Sequence, residues 1–418
     1  MTASDAPQVR TSTRLDLSEL LEAIEAAPPV AVADVVGTLL RDRVGAEHVS
    51  FLIADYSGDA LIRLGHGEAG AATAGPGRET SERVPLRGTP HGRALARQSL
   101  EVVPEDGAWW LYAPVTTRGE AVGVLELRLS QPPEEQTRTD VARTAHALAY
   151  VVIASRRYTD LFEWGQRSVA LSLAAEIQHR LLPGAYTCEG GQFTLAAWLE
   201  PAGEVGGDTF DFSLDRDSLS FSMTDAMGHT VNAALLATLL VGSVRNGRRR
   251  GASLTEQAAL ADAALAEHAG RSQFVTGQLV RVDLTAGTAE VVNAGHPPPL
   301  RIRDGRVDEV PLEADPPFGA VPDAEFHTRP LPLEPGDRLM FVTDGVFERR
   351  AGSADLAAVL AETRGEHPRE AVQRLIQAAA RASDGKLEDD ATALCFDWHG
   401  GPPRDRQSSA GADVGEPQ

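Results

Sequence analysis

Five acids at four places in the C-terminal half share one local context, in which an apolar, strand-like run meets Asp beside Gly or a second acid. They are Asp208 (VGGD), Asp225 (FSMTDAMGH), Asp344 (LMFVTDG) and the adjacent pair Asp389 and Asp390 (EDDATALCF). Each alone reads as turn chemistry, because Asp and Gly favour the turns that follow strands. As a set they have another use. Hard divalent cations such as Mg²⁺ or Mn²⁺ require several oxygen ligands, and the strand ends of one sheet can present carboxylates to a common point. Gathered anions repel one another unless a cation neutralises them. A two-ion site holds a water of lowered pKa in line with phosphorus, so phosphoester hydrolysis is the reaction it serves most directly. Ala226, directly after Asp225, offers a backbone carbonyl as a further ligand.

These acids need strands to carry them. From Gly191 to Asp397 short strand-like runs dominate (FTLAAWLEP, SLSFSMTD, QFVTGQLVRVDL, TAEVVNAG, DRLMFVTDG, ATALCFDW), interrupted by two pairs of helix-like stretches, Val231–Asn246 with Leu254–His268 and Asp355–Thr363 with Pro368–Ala382. That order predicts a layered α/β/β/α sandwich over residues 183–398. Upstream, residues 15–132 put helical stretches (Leu17–Ala27, Val32–Val44) before antiparallel-looking strands (VSFLIAD, ALIRLG, WWLYAPVTT, AVGVLELRL), with a glycine-rich loop at Gly65–Gly77. This is the pattern of a compact α+β domain.

Between the two, residues 134–182 carry apolar positions at helical spacing: Val141, Ala145, Leu148 and Val152, then Val169, Leu173, Ile177 and Leu181. A continuous helix would reach about 60–70 Å, which suits a connector that pairs with a second copy as a coiled coil. Two ordinary helices broken near Gly165 are the alternative. Residues 1–14 and 399–418 have the polar, aperiodic composition of disordered ends.

Length and charge limit the partners. The 418 residues allow two to three domains, and 39 basic against 60 acidic side chains give a net charge of −21. Such a surface repels nucleic acid and anionic lipid, which counts against a two-metal nuclease. The two cysteines, Cys188 and Cys395, fit neither a zinc site nor a redox pair. The longest uncharged apolar run, Val231 to Val244, has 14 residues, short of the roughly 20 that a membrane span needs. With no signal-peptide pattern at the start, a soluble cytoplasmic protein is expected.

Six segments in order, EIQHRLLP (176–183), PAGEVGGDTFDF (201–212), TDAMGHTVNAALLATLL (224–240), VNAGHPPPL (292–300), FVTDGVFE (341–348) and DDATAL (389–394), resemble the metal-dependent serine/threonine protein phosphatases (PPM, type 2C), in their bacterial SpoIIE/RsbU-like branch. The resemblance covers residues 170 to 398, about half the chain. It implies that Asp225 bridges two Mg²⁺ or Mn²⁺ ions, that the Ala226 carbonyl completes one shell, that Asp344 and Asp389 hold the other ion, and that Asp208 contributes directly or through water. Asp390 competes with Asp389 for the ligand role. The implied chemistry is direct attack of a metal-activated water on phosphoserine or phosphothreonine, and the implied substrate is a phosphorylated anti-sigma-factor antagonist.

One departure stands out: Thr230 follows His229 where the family commonly has Gly. His229 itself reads either as substrate-facing or as a surface-loop residue. Asn293, Gly295 and His296 read as a tight turn plugged by the imidazole, against a direct catalytic role. Arg245, Arg248, Arg249 and Arg250 read as a solvated helix end, against an attractor for a phosphorylated partner.

The N-terminal domain looks like a GAF-type sensory module, on its helix–strand order and the segment GTPHGRALARQSLEVVPEDG (88–107). A small-molecule or protein signal would act there, and the helix containing EIQHRLLP would pass it on by shifting Asp208 or Asp344 into ligating position. The alternative function is a pseudophosphatase that keeps the fold as a regulatory binding protein.

Overall fold

The computed structural model describes residues 17–66, 79–167, 171–200, 206–228, 231–268, 273–346, 356–382, 387, 389–402 and 404–406. The chain divides into two compact units, one within Met1–Ser168 and one within Val169–Ser409. His229 and Thr230, and the terminal residues 1–14 and 407–418, lie outside the described residues.

The first unit runs α1 (Leu17–Ala26), α2 (Val32–Val44), β1 (His48–Ala54), β2 (Ala60–His66), β3 (Glu79–Pro85), α3 (Pro90–Arg97), β4 (Glu101–Glu105), β5 (Ala108–Thr117), β6 (Glu120–Leu129), α4 (Glu135–Ser155) and α5 (Leu161–Gly165). Its strands form one antiparallel sheet in the order β3-β2-β1-β6-β5-β4. Alternation along β5 divides the core. Leu111, Ala113 and Val115 pack with α1, α2 and α4, whereas Tyr112 faces the other way and packs with Ala94 and Leu95 of α3. On that second face the buried Glu126 accepts hydrogen bonds from Arg63 Nη2 at 2.9 Å and pairs with His91 Nε2 at 2.7 Å. Burial alone would raise its pKa, but the His91 bond and the Arg63 charge outweigh it and hold the carboxyl below its ordinary value.

The stretch 134–182 is not one helix. It forms α4, α5 and α6 (Leu173–Leu181), and α4 is no free connector, because Val141, Ala145, Leu148 and Val152 are buried in the first unit's core. The helical period lapses after Ser155: Arg156, Arg157, Tyr158, Thr159 and Asp160 supply no apolar side chain for the inward face except the largely exposed Tyr158. A fresh start follows at Ser172, whose side chain caps α6 by accepting from Ala175 N at 3.1 Å.

The second unit continues with β7 (Thr187–Glu189), β8 (Phe193–Glu200), β9 (Asp208–Leu214), β10 (Ser218–Ala226), α7 (Val231–Arg249), α8 (Leu254–His268), β11 (Val275–Asp283), β12 (Thr288–Ala294), β13 (Leu300–Arg303), β14 (Arg306–Glu309), β15 (Arg329–Leu331), β16 (Asp337–Val342), α9 (Leu356–Glu362), α10 (Pro368–Ala382) and β17 (Ala391–Trp398). Two sheets result, ordered β15-β12-β11-β10-β9 and β14-β13-β16-β17-β8-β7.

Three apolar clusters define the layers. Phe193, Leu195, Phe210, Phe221, Val280, Phe341 and Phe396 fill the space between the sheets. The outer face of the first sheet, at Leu279 and Val292, packs against Leu236, Leu240 and Leu265 of α7 and α8. The outer face of the second, at Met340, Ala393 and Cys395, packs against Leu360, Val372 and Leu375 of α9 and α10. Helices thus cover both outer faces of a β-sandwich.

Residues after β17 are not all tail. Gly401 O accepts from Gln192 Nε2 at 2.7 Å and Arg406 pairs with the fully buried Glu189, which ties Gly401 and Arg406 to the edge of the second sheet. Cys188 and Cys395 are free and buried. Among the described residues no helix is long and apolar enough to cross a membrane.

Candidate active site

Asp208 opens β9 and Asp225 closes β10 one residue from its end, and the antiparallel register sets them directly opposite each other. The next rung is unusually close. A Cβ on Gly207 would stand 2.5 Å from the Ala226 carbonyl oxygen, so only glycine lets the two backbones meet, and Ala226 N donates to Gly207 O at 3.2 Å. From the second sheet, β16 is followed directly by Thr343 and Asp344, while Asp389 and Asp390 lead into β17. There a Cβ on Gly345 would fall 2.1 Å from the Asp390 carbonyl oxygen. These two glycines draw the ends of four strands together.

The electrostatics record the convergence. Asp225 is pushed up to about 7, first by burial and then by the charges of Asp344, Asp389 and Asp390. Asp208, 3% exposed, is raised well above the ordinary carboxyl value by burial and by Asp225 and Asp390. The Asp208 carboxyl, opposite Asp225 in the β9–β10 register, acts on Asp225 in the other direction and lowers its pKa, as a proton shared between two carboxyls would.

Several acceptors are already engaged. Asp208 Oδ2 accepts from Thr343 Oγ1 at 2.7 Å and Thr392 Oγ1 at 2.6 Å. Asp390 Oδ2 accepts from Gln178 Nε2 of α6 at 2.6 Å and from Gly207 N at 3.2 Å, while Asp389 Oδ1 accepts from Asp390 N at 2.8 Å. Among the described residues no three acidic, histidine or cysteine side chains stand as a ready ligand set for one ion. The donor set nevertheless suits a hard divalent cation: carboxylates from four strand ends, a backbone carbonyl at Ala226, and mutual repulsion that a cation would relieve.

The neighbouring turn is built on Asn293, whose Oδ1 accepts from His296 N at 3.0 Å, with Gly295 at φ +68° against Pro317. The His296 ring is 3% exposed. Its Nδ1 lies 3.0 Å from Thr276 Oγ1, and Thr276 pairs with Asp225 across the β10–β11 ladder. Burial pushes this imidazole down to about 4, so it is neutral.

The arginine run divides. Arg245 Nη2 reaches Asp211 Oδ1 at 2.7 Å and Leu181 O at 2.6 Å, and Arg248 Nη1 reaches Asp211 Oδ2 at 3.0 Å. Those two close a buried acid and the end of α6, which corrects their reading as a solvated helix end. Arg249 and Arg250 are exposed.

Sequence reasoning passed over Gln178, Thr343, Thr392 and Asp211. The threonines carried no signal in the sequence, since a strand-end hydroxyl needs a partner only where it lies wholly inside the protein, as these two do.

Residues 215–399 match the family model of stage II sporulation protein E (SpoIIE). Among curated relatives, it is similar to the phosphoserine phosphatase RsbP of Bacillus subtilis (strain 168), 25% identical over 186 residues that cover 43% of this chain and 46% of RsbP. The phosphoserine phosphatase RsbU of the same organism is 22% identical over 230 residues, covering 54% of this chain and 68% of RsbU. The chain therefore spans about half the length of RsbP and two thirds of RsbU. Among solved structures, the RsbU and RsbW domains of Rv1364c from Mycobacterium tuberculosis align at 28% identity over 51% of this chain and 62% of that one, with a TM-score of 0.45.

Proposed function

We propose that the C-terminal unit hydrolyses phosphoserine or phosphothreonine on a protein substrate, with Asp208, Asp225, the Ala226 carbonyl, Asp344 and Asp389 as the groups that hold two Mn²⁺ or Mg²⁺ ions. The observation that carries this reading is the meeting of Asp208 and Asp225 with Asp344, Asp389 and Asp390 at buried strand ends, where burial first and then the charges of the last three push Asp225 up to about 7. Ions bound there would neutralise the carboxylates and supply a nucleophilic water at neutral pH. The protein's part is to fix the acids on strand ends, keep them buried and hold Asp208 beside Asp225. Asp390, gripped by Gln178 and Gly207, acts as a brace in this scheme and leaves Asp389 as the ligand.

The N-terminal unit is read as a GAF-like sensor for a small-molecule or protein signal, and the substrate as a phosphorylated anti-sigma-factor antagonist. RsbP and RsbU, both phosphoserine phosphatases by name, support the substrate class. Regulation would run through α6, because Gln178 donates to both Asp208 O at 2.8 Å and Asp390 Oδ2 at 2.6 Å. A shift of α6 would release both at once. A cytoplasmic location completes the proposal; a coiled-coil homodimer is no part of it, because the apolar face of α4 that would pair is buried in the first unit's core.

Substituting Asp225→Asn tests it. Mn²⁺-dependent hydrolysis of an aryl phosphate should fall by about a hundredfold to a thousandfold, the scale for losing charge stabilisation in a buried site; unchanged turnover would overturn the assignment. The second reading, a pseudophosphatase that sequesters a partner, draws on the engaged oxygens of Asp208 and Asp390. Calorimetry with Mn²⁺ separates the two, since a chain that takes up no ion cannot be the enzyme proposed.

A further inference from the structure

We propose that Thr343 and Thr392 are positioning residues that sort the two oxygens of Asp208, one fastened to the second sheet and the other left to face Asp225 and the ions. The inference rests on the phosphatase reading and adds two residues that touch neither substrate nor ion.

Both threonines are wholly buried. At such positions valine has the same shape without the cost of a buried hydroxyl, so threonine implies that the hydroxyl is used. The geometry shows the use. Thr343 Oγ1 accepts the Thr392 backbone N–H at 3.0 Å, so its single proton is free to be donated, and it is donated to Asp208 Oδ2 at 2.7 Å. Thr392 Oγ1 donates to the same oxygen at 2.6 Å. With two donors on Oδ2, the side chain's rotation about its terminal bond is fixed, which leaves Oδ1 as the oxygen available to Asp225, its register partner on β10.

The clasp also spans the sandwich. Asp208 belongs to the sheet of β9 and β10, whereas Thr392 lies in β17 and Thr343 follows β16 in the other sheet. Thr343 N donates to Thr392 O at 3.1 Å, which extends the β16–β17 ladder one rung beyond Val342 and Ala393 and aligns the two hydroxyls. Thr343 immediately precedes Asp344, so the same rung that holds Asp208 fixes where Asp344 leaves its strand.

The test uses the full chain with Thr343→Val, Thr392→Val, the double Val variant, and Thr343→Ser and Thr392→Ser. Mn²⁺ affinity is read by calorimetry, folding by thermal melts, and kcat and KM with an aryl phosphate. Each Val variant should bind Mn²⁺ about tenfold more weakly, the change expected for one hydrogen bond to a charged group. Loss of kcat should exceed any change in KM, and each Ser variant should stay within about threefold of the parent in affinity. Folded Val variants with parental Mn²⁺ affinity would overturn the proposal. So would Ser variants that lose as much affinity as Val, which also decides the matter should the Val variants not fold. A parent chain that itself neither binds Mn²⁺ nor hydrolyses the ester would instead bring down the phosphatase reading beneath it.

Discussion

His296 illustrates how a single side chain near the site differs from its appearance in the sequence. In NAGHPPPL an imidazole beside a run of prolines offers itself as an acid or base, yet the folded ring is buried, neutral and lodged against Thr276. Its pKa is pushed from the ordinary 6.5 down to about 4, so between those values the unfolded chain binds the proton that the folded chain refuses. Stability from this group is therefore complete above about pH 6.5 and is lost as pH falls toward 4, by about 3 kcal/mol in all. Asp225 works in the opposite sense, since its raised pKa favours the folded state as pH falls through about 7 toward the ordinary carboxyl value. Comparing variants isolates the histidine: the difference in unfolding free energy between His296→Gln and the parent should narrow by about that amount from pH 7 to pH 4.5. A constant gap across that range would place the imidazole in water. At this scale the acids were legible because Asp after an apolar run is conspicuous, whereas the clasping threonines were not, because Thr is an ordinary strand residue until its burial is known.

Among the elements, apolar runs announced themselves: β8, β10, β11, β12, β16 and β17 all coincide with strands expected from hydropathy, as do α1, α2 and α7. β9 was passed over for a physical reason. Its sequence DTFDFSL carries Asp211 at a buried position, and the charges that make this tolerable, Arg245 and Arg248, sit on α7, 34 and 37 residues away. A buried acid whose partners are remote disguises a strand as a turn. The continuous connector failed for the opposite reason, because a period that holds on both sides of Arg156–Asp160 was extended across it. What the corrected α6 does can be tested. Gln178 is 1% exposed, and Gln178→Leu keeps its bulk while removing both hydrogen bonds to Asp208 O and Asp390 Oδ2. The expected cost is about 2 kcal/mol of stability, with kcat reduced about tenfold as the strand end bearing Asp208 loosens. Melting and steady-state kinetics measure both. A Leu variant as active and as stable as the parent would deny α6 any hold on the site.

At the scale of the whole molecule, the two units have separate interiors. The clusters around Leu111 and Tyr112 draw only on residues of the first unit, and those around Phe396, Leu240 and Leu375 draw only on the second. Cores that share no side chain can melt separately, so calorimetry of the full chain should resolve two transitions rather than one. The proposed ions then label one of them. Binding that favours the folded state stabilises by about 2.7 kcal/mol at a hundredfold excess over the dissociation constant, so Mn²⁺ should raise the melting temperature of one transition by several degrees and leave the other in place. Glu126→Gln should mark that other transition, because it weakens the buried pairing with Arg63 and His91 in the first unit without touching the acids of the second. Mn²⁺ and the substitution must act on different transitions. If both shift the same transition, the units unfold as one body, and a signal taken up by the first would reach the carboxylates through global stability rather than through α6.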